Sequence, residues 1–107
     1  MPKIVVLEVG RPIKSDVEKQ LGEVTACVSY PRAVTETEYP KILRETYQAV
    51  REAASGGEEV WLVLSGPLAL AFQLGQLIGL SHWKVVVYQF SGGRYVPAPP
   101  VTRDIMF

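Results

Sequence analysis

The amino-acid sequence predicts an α/β fold, a compact and mostly parallel sheet with helices on both faces and a C-terminal antiparallel hairpin. Three observations carry this. Residues 3–9, 60–64 and 85–90 are short runs rich in β-branched and other apolar side chains, as in strands buried on both faces. Between them lie segments whose apolar residues recur at helical spacing. Near the end, Ser91-Gly92-Gly93 followed by Arg94-Tyr95-Val96 reads as a short turn and a returning strand.

Taken in order, the first strand covers residues 3–9 and is broken by Gly10-Arg11-Pro12. Ile13, Val17 and Leu21 then recur every four residues, one stripe of a short helix. Ser15 with Glu18 has the spacing of a capping box, and Gly22 suits the position just past the helix end. Residues 23–29 read as the second strand, ended by Tyr30-Pro31-Arg32, and a loop follows to Thr37. Pro40 fits the first turn of the next helix, with Leu43, Tyr47, Val50 and Ala54 on one face and Arg44, Glu45, Arg51 and Glu52 on another. Gly56-Gly57 stops it, the third strand covers residues 60–64, and Ser65-Gly66-Pro67 turns sharply into a helix over residues 68–80. That helix has no charged residue before its end, which predicts a mostly buried element. The order β-α-β-α-β-α-β-β at this spacing means parallel strands joined by crossovers, a compact Rossmann-like domain. The chain has 107 residues, so a single domain is expected over 1–107, with 98–107 as an extended C-terminal tail.

Composition narrows the chemistry. Lys+Arg and Asp+Glu are both 11, and a zero balance argues against partners with long nucleic-acid backbones, which attract a broad basic field. A small anion held by a few local cations remains compatible. The single cysteine, Cys27, and the single histidine, His82, leave no disulfide framework, no cysteine-based zinc site and no paired imidazoles within one chain. The longest apolar stretch is interrupted by Ser65, Gly66, Pro67, Gln73, Gly75 and Gln76, and falls short of the ~20 residues of a membrane span. With no signal-peptide pattern at the start, a cytoplasmic protein is expected. No cofactor or metal is expected either. No G-x-G-x-x-G follows the first strand, and no G-x-x-x-x-G-K-[ST] occurs.

In open α/β sheets ligands bind beyond the carboxyl ends of the strands. Val9-Gly10-Arg11, Tyr30-Pro31-Arg32, Leu64-Ser65-Gly66-Pro67 and the turn ending in Arg94 all reach that edge. Arginines grip phosphate bidentately, and a helix N-terminus offers free N–H groups. Gly10, Arg11, Arg32, Ser65, Gly66 and Arg94 are therefore the candidate ligand-binding residues, with Lys14 as a further nearby cation. Solubility, turn geometry, helix capping by Ser65, or ion pairs to Glu8, Glu36 or Glu38 are the plainer explanations of the same residues. His82 precedes the fourth strand, so topology places it at the opposite edge, and Cys27 reads as a small buried hydrophobe.

The segment Val60-Trp61-Leu62-Val63-Leu64-Ser65-Gly66-Pro67-Leu68-Ala69-Leu70-Ala71-Phe72-Gln73-Leu74-Gly75-Gln76 resembles the late motif of SAVED domains, in which a strand and a proline turn lead into an Ala-Leu-Ala-Phe-x-Leu-Gly helix. The resemblance continues through Val87-Tyr88-Gln89-Phe90 and Gly93-Arg94-Tyr95-Val96-Pro97-Ala98, and covers about residues 58–98. It implies a CARF-like fold, since SAVED domains are similar to two fused CARF-like units, and recognition of cyclic oligonucleotides made in CRISPR type III and CBASS antiviral signalling. This chain matches about one such unit, so the resemblance implies a homodimer that rebuilds the two-unit site. The expected ligand is cyclic oligoadenylate. The leading expectation is that it is bound and also opened, as by the small CRISPR-associated ring nucleases, with Arg11, Arg32 and Ser65 as the catalytic residues. Ring opening of this kind uses the ligand's own 2′-OH and needs neither histidine nor metal. The alternatives are a sensor or sponge that binds without cleaving, and an interaction domain with no small ligand.

Overall fold

The structure, a computed structural model, describes residues 1–105. The chain alternates β1 (Lys3–Val9), α1 (Lys14–Leu21), β2 (Ala26–Tyr30), α2 (Tyr39–Ala54), β3 (Val60–Ser65), α3 (Leu68–Ile78), β4 (Val85–Ser91) and β5 (Arg94–Pro97). The strands form one five-stranded sheet in the order β2-β1-β3-β4-β5. The first four are parallel and β5 runs antiparallel to β4, as the sequence predicts.

Alternation along the strands divides the interior in two. Val5, Leu7 and Val9 of β1 and Leu62 of β3 face α2 and α3, where Ile42, Val50, Leu70 and Leu74 close the larger core. Ile4 and Val6 of β1, Val63 of β3 and Tyr88 of β4 face the other way, against Ile13, Val17 of α1 and Tyr95 of β5. The inward stripe of α2 is Ile42, Thr46, Val50 and Ala53, one position off the expected Leu43 and Tyr47, which sit half-buried on its flank. Thr46 is tolerated there because its hydroxyl donates to the Ile42 carbonyl at 2.8 Å.

Four local expectations change. The second strand starts later and includes Tyr30, because residues 22–25 form the turn out of α1. No side chain of α1 caps its own start. Glu8, at the end of β1, does so instead, accepting from the Ile13 N–H at 2.8 Å and the Lys14 N–H at 2.9 Å. A long-range carboxylate thus replaces the local Ser15–Glu18 box. Third, α3 ends at Ile78 and is not mostly buried: Leu70 and Leu74 face the core, whereas Leu68 and Phe72 are 88% and 70% exposed. The helix carries apolar residues on more than one side, with Gln73 and Gln76 among them, and its buried side faces the core through Leu70 and Leu74. Fourth, the tail is not extended throughout. The Ala98 N–H bonds the Val87 carbonyl at 2.8 Å, and residues Arg103–Ile105 make a short 3₁₀ turn.

The chain leaves β1 toward β2 on one side and returns to β3 on the other. The sheet therefore has its topological switch point between β1 and β3, where the loops after these strands part and leave a crevice. The loops meet at its floor: Gly66 has φ 156°, a conformation that side chains rarely adopt, and a Cβ there would lie 3.0 Å from the Val9 Cβ, so glycine suits the turn after β3 where it passes the end of β1. The closeness that singles out Gly66 is thus internal to the fold.

Candidate functional site

A row of residues crosses the sheet at its carboxyl edge on the α1 side. Glu8 pairs with Ser29 of β2 and with Ser65 of β3. Extending the β3–β4 register by two residues from Val63 and Tyr88 brings Phe90 beside Ser65, and Phe90 pairs with Tyr95 across the hairpin. Over this row folds the loop Gly10-Arg11-Pro12-Ile13. Between loop and row is a cavity of about 90 Å³ lined by Arg11, Ile13, Leu64, Ser65, Phe90 and Tyr95.

Glu8 sets the loop. Only 7% exposed, its carboxylate accepts from Ile13 and Lys14 N–H through one oxygen and from the Ser29 hydroxyl at 2.7 Å through the other. Burial alone would raise its pKa, but the bonds from Ile13, Ser29 and Lys14, with the Lys14 charge, outweigh burial and hold it below the usual value. A satisfied anion at the start of α1 also means that this helix end is already occupied. Gly10 makes the turn at positive φ, with its N–H on the Tyr30 carbonyl at 2.8 Å, and Arg11 follows with an exposed side chain at the cavity.

The start of α3 differs. Ser65 is the last residue of β3 and its side chain lies on the α1 face with Val63, whereas α3 packs on the opposite face. Pro67 is the N-cap residue and no side chain caps the helix. Ser65 therefore does not cap α3, and it lines the cavity instead.

Of the sequence candidates, the structure brings Arg11 and Ser65 together, with Gly10 and Gly66 as the backbone turns beneath them. Arg32 is at the same edge of the sheet but engaged elsewhere. Its guanidinium donates to both carboxylate oxygens of Glu38, at 2.6 and 3.2 Å, and lies 5.7 Å from the centre of the Tyr30 ring. That contact, with the Thr35 N–H, holds the Glu38 carboxyl down at about 2. Arg94 is exposed at the start of β5, past the hairpin turn and outside the cavity lining. His82 is exposed between α3 and β4, at the amino edge. Burial, then the Glu8 charge, pushes the Cys27 thiol up, which keeps it protonated and unreactive.

Sequence reasoning missed Phe90, Tyr95 and the positioning role of Glu8. The signal for the aromatic pair was present: Gly92 and Gly93, both at positive φ, make a two-residue hairpin turn that sets Phe90 opposite Tyr95. Nothing local marks Glu8, whose partners are 5, 6 and 21 residues away.

A second, larger cavity of about 530 Å³ lies between α3, β4 and the tail, lined by Leu74, Ile78, Trp83, Val85 and Val101 among others. It is mostly apolar, and among the described residues Lys84 is the one charged residue in its lining.

The profile of the SMODS-associated and fused to various effectors sensor domain, SAVED, matches residues 4–99. The chain belongs to the SAVED family. The likeness read from residues 58–98 thus extends over nearly the whole chain. Among solved structures, the Acinetobacter baumannii Cap4 SAVED/CARF-domain containing receptor is similar in two forms. The form with the cyclic trinucleotide 2'3'3'-cAAA matches with TM-score 0.69 and 21% identity over 91% of this chain and 24% of that one. The other matches with TM-score 0.73 and 19% identity over 94% of this chain and 24% of that one. The TM-scores establish a shared SAVED/CARF fold, and the chain spans about a quarter of the length of these receptors. No curated protein matches the chain. Among the described residues, no helix is long and apolar enough to cross a membrane, and no group of three or more His, Cys, Asp or Glu side chains is placed to hold a metal ion.

Proposed function

We propose that this SAVED unit senses a cyclic oligoadenylate in the cytoplasm, with the ligand's phosphate seated between Arg11 and Ser65. The observation that carries the reading is the convergence of these two residues on one cavity at the switch point of the sheet. A cavity of about 90 Å³ suits a phosphate or a few waters, not a whole nucleotide. The rest of the ring lies across the rim, so one unit offers a half-site and a second unit completes it. A homodimer supplies that unit by repeating the same surface about a two-fold axis. α3 starts at the same carboxyl edge as the cavity, so its exposed Leu68 and Phe72, with Ile105 at the tail, support such a contact. Met106 and Phe107, the remainder of that apolar end, lie outside the described residues.

Calorimetric titration with cyclic tri- and tetra-adenylate tests the reading. Saturable binding by the parent, lost or weakened in Arg11→Ala, is the expected result. No heat and no thermal shift with any cyclic oligonucleotide would leave an interaction domain without a small ligand. Light scattering tests the assembly: a monomer at micromolar concentration with and without ligand overturns the dimer.

Cleavage is the second reading, favoured by Ser65 lining the same cavity as Arg11 and capping no helix. In it, a ligand 2′-oxygen bonds to the adjacent phosphorus and the P–O5′ bond breaks. The proton of the 2′-OH ends on O5′, leaving a linear product with a 2′,3′-cyclic phosphate. Arg11 and Ser65 would stabilise charge on the phosphate. Arg32 would join them only on leaving Glu38. Incubation of the protein with labelled cyclic tetra-adenylate separates the readings: an intact, bound ring means sensing, and a linear product means a ring nuclease, while type III CRISPR or CBASS genes beside its own would decide the system.

A further inference from the structure

Phe90 is the unexplained residue at the candidate site. It is 55% exposed at the carboxyl end of β4, although its face of the strand is otherwise the buried one that carries Tyr88. It lines the same cavity as Arg11 and Ser65. Its ring is held rather than loose: it meets Tyr95 edge-to-face, with centroids 5.1 Å apart and planes at 64°. Tyr95 is buried in turn, and its backbone N–H donates to Gln20 Oε1 of α1 at 2.8 Å. The hairpin that carries Phe90 is therefore pinned to α1 by a side chain distant in sequence.

Resting on the cyclic-oligonucleotide reading above, we infer that Phe90 is a base-stacking platform and makes this half-site prefer purines. A phosphate between Arg11 and Ser65 places the attached nucleoside at the cavity rim, where the Phe90 ring is the exposed aromatic surface. Bases stack on aromatic side chains through their π-faces, and a purine covers more of the ring than a pyrimidine does. Because Tyr95 already fixes the ring, little side-chain freedom is lost when a base lands on it. Arg11 and Ser65 grip the charged part of the ligand, which every base shares, so discrimination between bases falls to the aromatic surface.

The experiment compares affinities for cyclic triadenylate and its cyclic uridine counterpart in the parent and in Phe90→Ala, Phe90→Leu and Phe90→Trp, with Arg11→Ala alongside. Phe90→Ala is expected to weaken binding of the adenylate roughly 5- to 100-fold and that of the uridylate less, which narrows the ratio between them. Phe90→Trp restores the ratio and Phe90→Leu, apolar but not aromatic, does not. A merely structural Phe90 would shift both ligands equally and would be served by leucine. Parent-like adenylate affinity in Phe90→Ala, with binding lost in Arg11→Ala, overturns the stacking role and leaves the phosphate site standing. Equal weakening of both ligands also overturns it. Failure of the parent to bind either ligand overturns both this inference and the reading beneath it.

Discussion

On one face of the sheet, α2 and α3 lie side by side over a core of aliphatic residues from β1 and β3. On the other, α1 alone covers the strands with eight residues, and its one buried side chain within the helix is Val17. The first face is deep and ends in an apolar groove along α3. The second is thin and ends in a row of polar and aromatic side chains. The deep face holds the molecule together and exposes apolar side chains of α3, whereas the thin face leaves the loop after β1 and the side chains of Arg11 and Ser65 open to a small cavity.

The largest break of this comparison is within α3. Leu74→Ala removes a fully buried side chain and is expected to cost about 2–5 kcal/mol in denaturant unfolding. Phe72→Ala, two residues away, should leave the stability of the isolated chain within about 0.5 kcal/mol. It should instead lower the dimer fraction in light scattering. Next comes Glu8 on the thin face. Glu8→Ala strips a charged acceptor from the Ile13 and Lys14 N–H groups and from Ser29, with an expected loss of about 2–3 kcal/mol. Because the folded Glu8 pKa is depressed, its contribution is fully present above the unfolded value near 4.5 and is lost as pH falls through the lower folded value. Thermal melts of the parent should therefore drop on the acid side, and Glu8→Gln should flatten part of that drop.

Smaller still are the ligand residues. Arg11→Ala should weaken cyclic oligoadenylate binding by about 1.5–3 kcal/mol, the range of a charged hydrogen bond, without moving the apo melting temperature. Ser65→Ala should act in the same direction by less, again with unchanged apo stability, since the residue caps no helix. A lowered apo melting temperature with unchanged affinity would return Ser65 to a structural role. The smallest effect belongs to Arg32, whose partner is an exposed carboxylate. In an NMR titration the Glu38 carboxyl should titrate at about 2 in the parent and move up toward the usual range in Arg32→Ala.

The sequence alone carried the strand–helix alternation, the parallel sheet with its closing hairpin and the carboxyl edge that the candidate loops share. These follow from periodicity and turn residues, which are local: β-branched runs such as residues 3–9 pack on both faces wherever they fall, and Gly92-Gly93 fixes its own turn. It also marked Arg11 and Ser65, because a residue just past a parallel strand must lie at the carboxyl edge. Tertiary structure alone decided which of the edge residues meet. Arg11 and Arg32 look alike in sequence, but strand order puts Arg11 at the switch point and leaves Arg32 beside an edge strand within reach of Glu38. The same holds for Glu8, whose role depends on the end of β1 lying beside the start of α1, and for α3, whose apolar sequence cannot say how many sides have a neighbour. Periodicity reports which face of an element is apolar, while what stands opposite that face is set by chain segments far away in sequence.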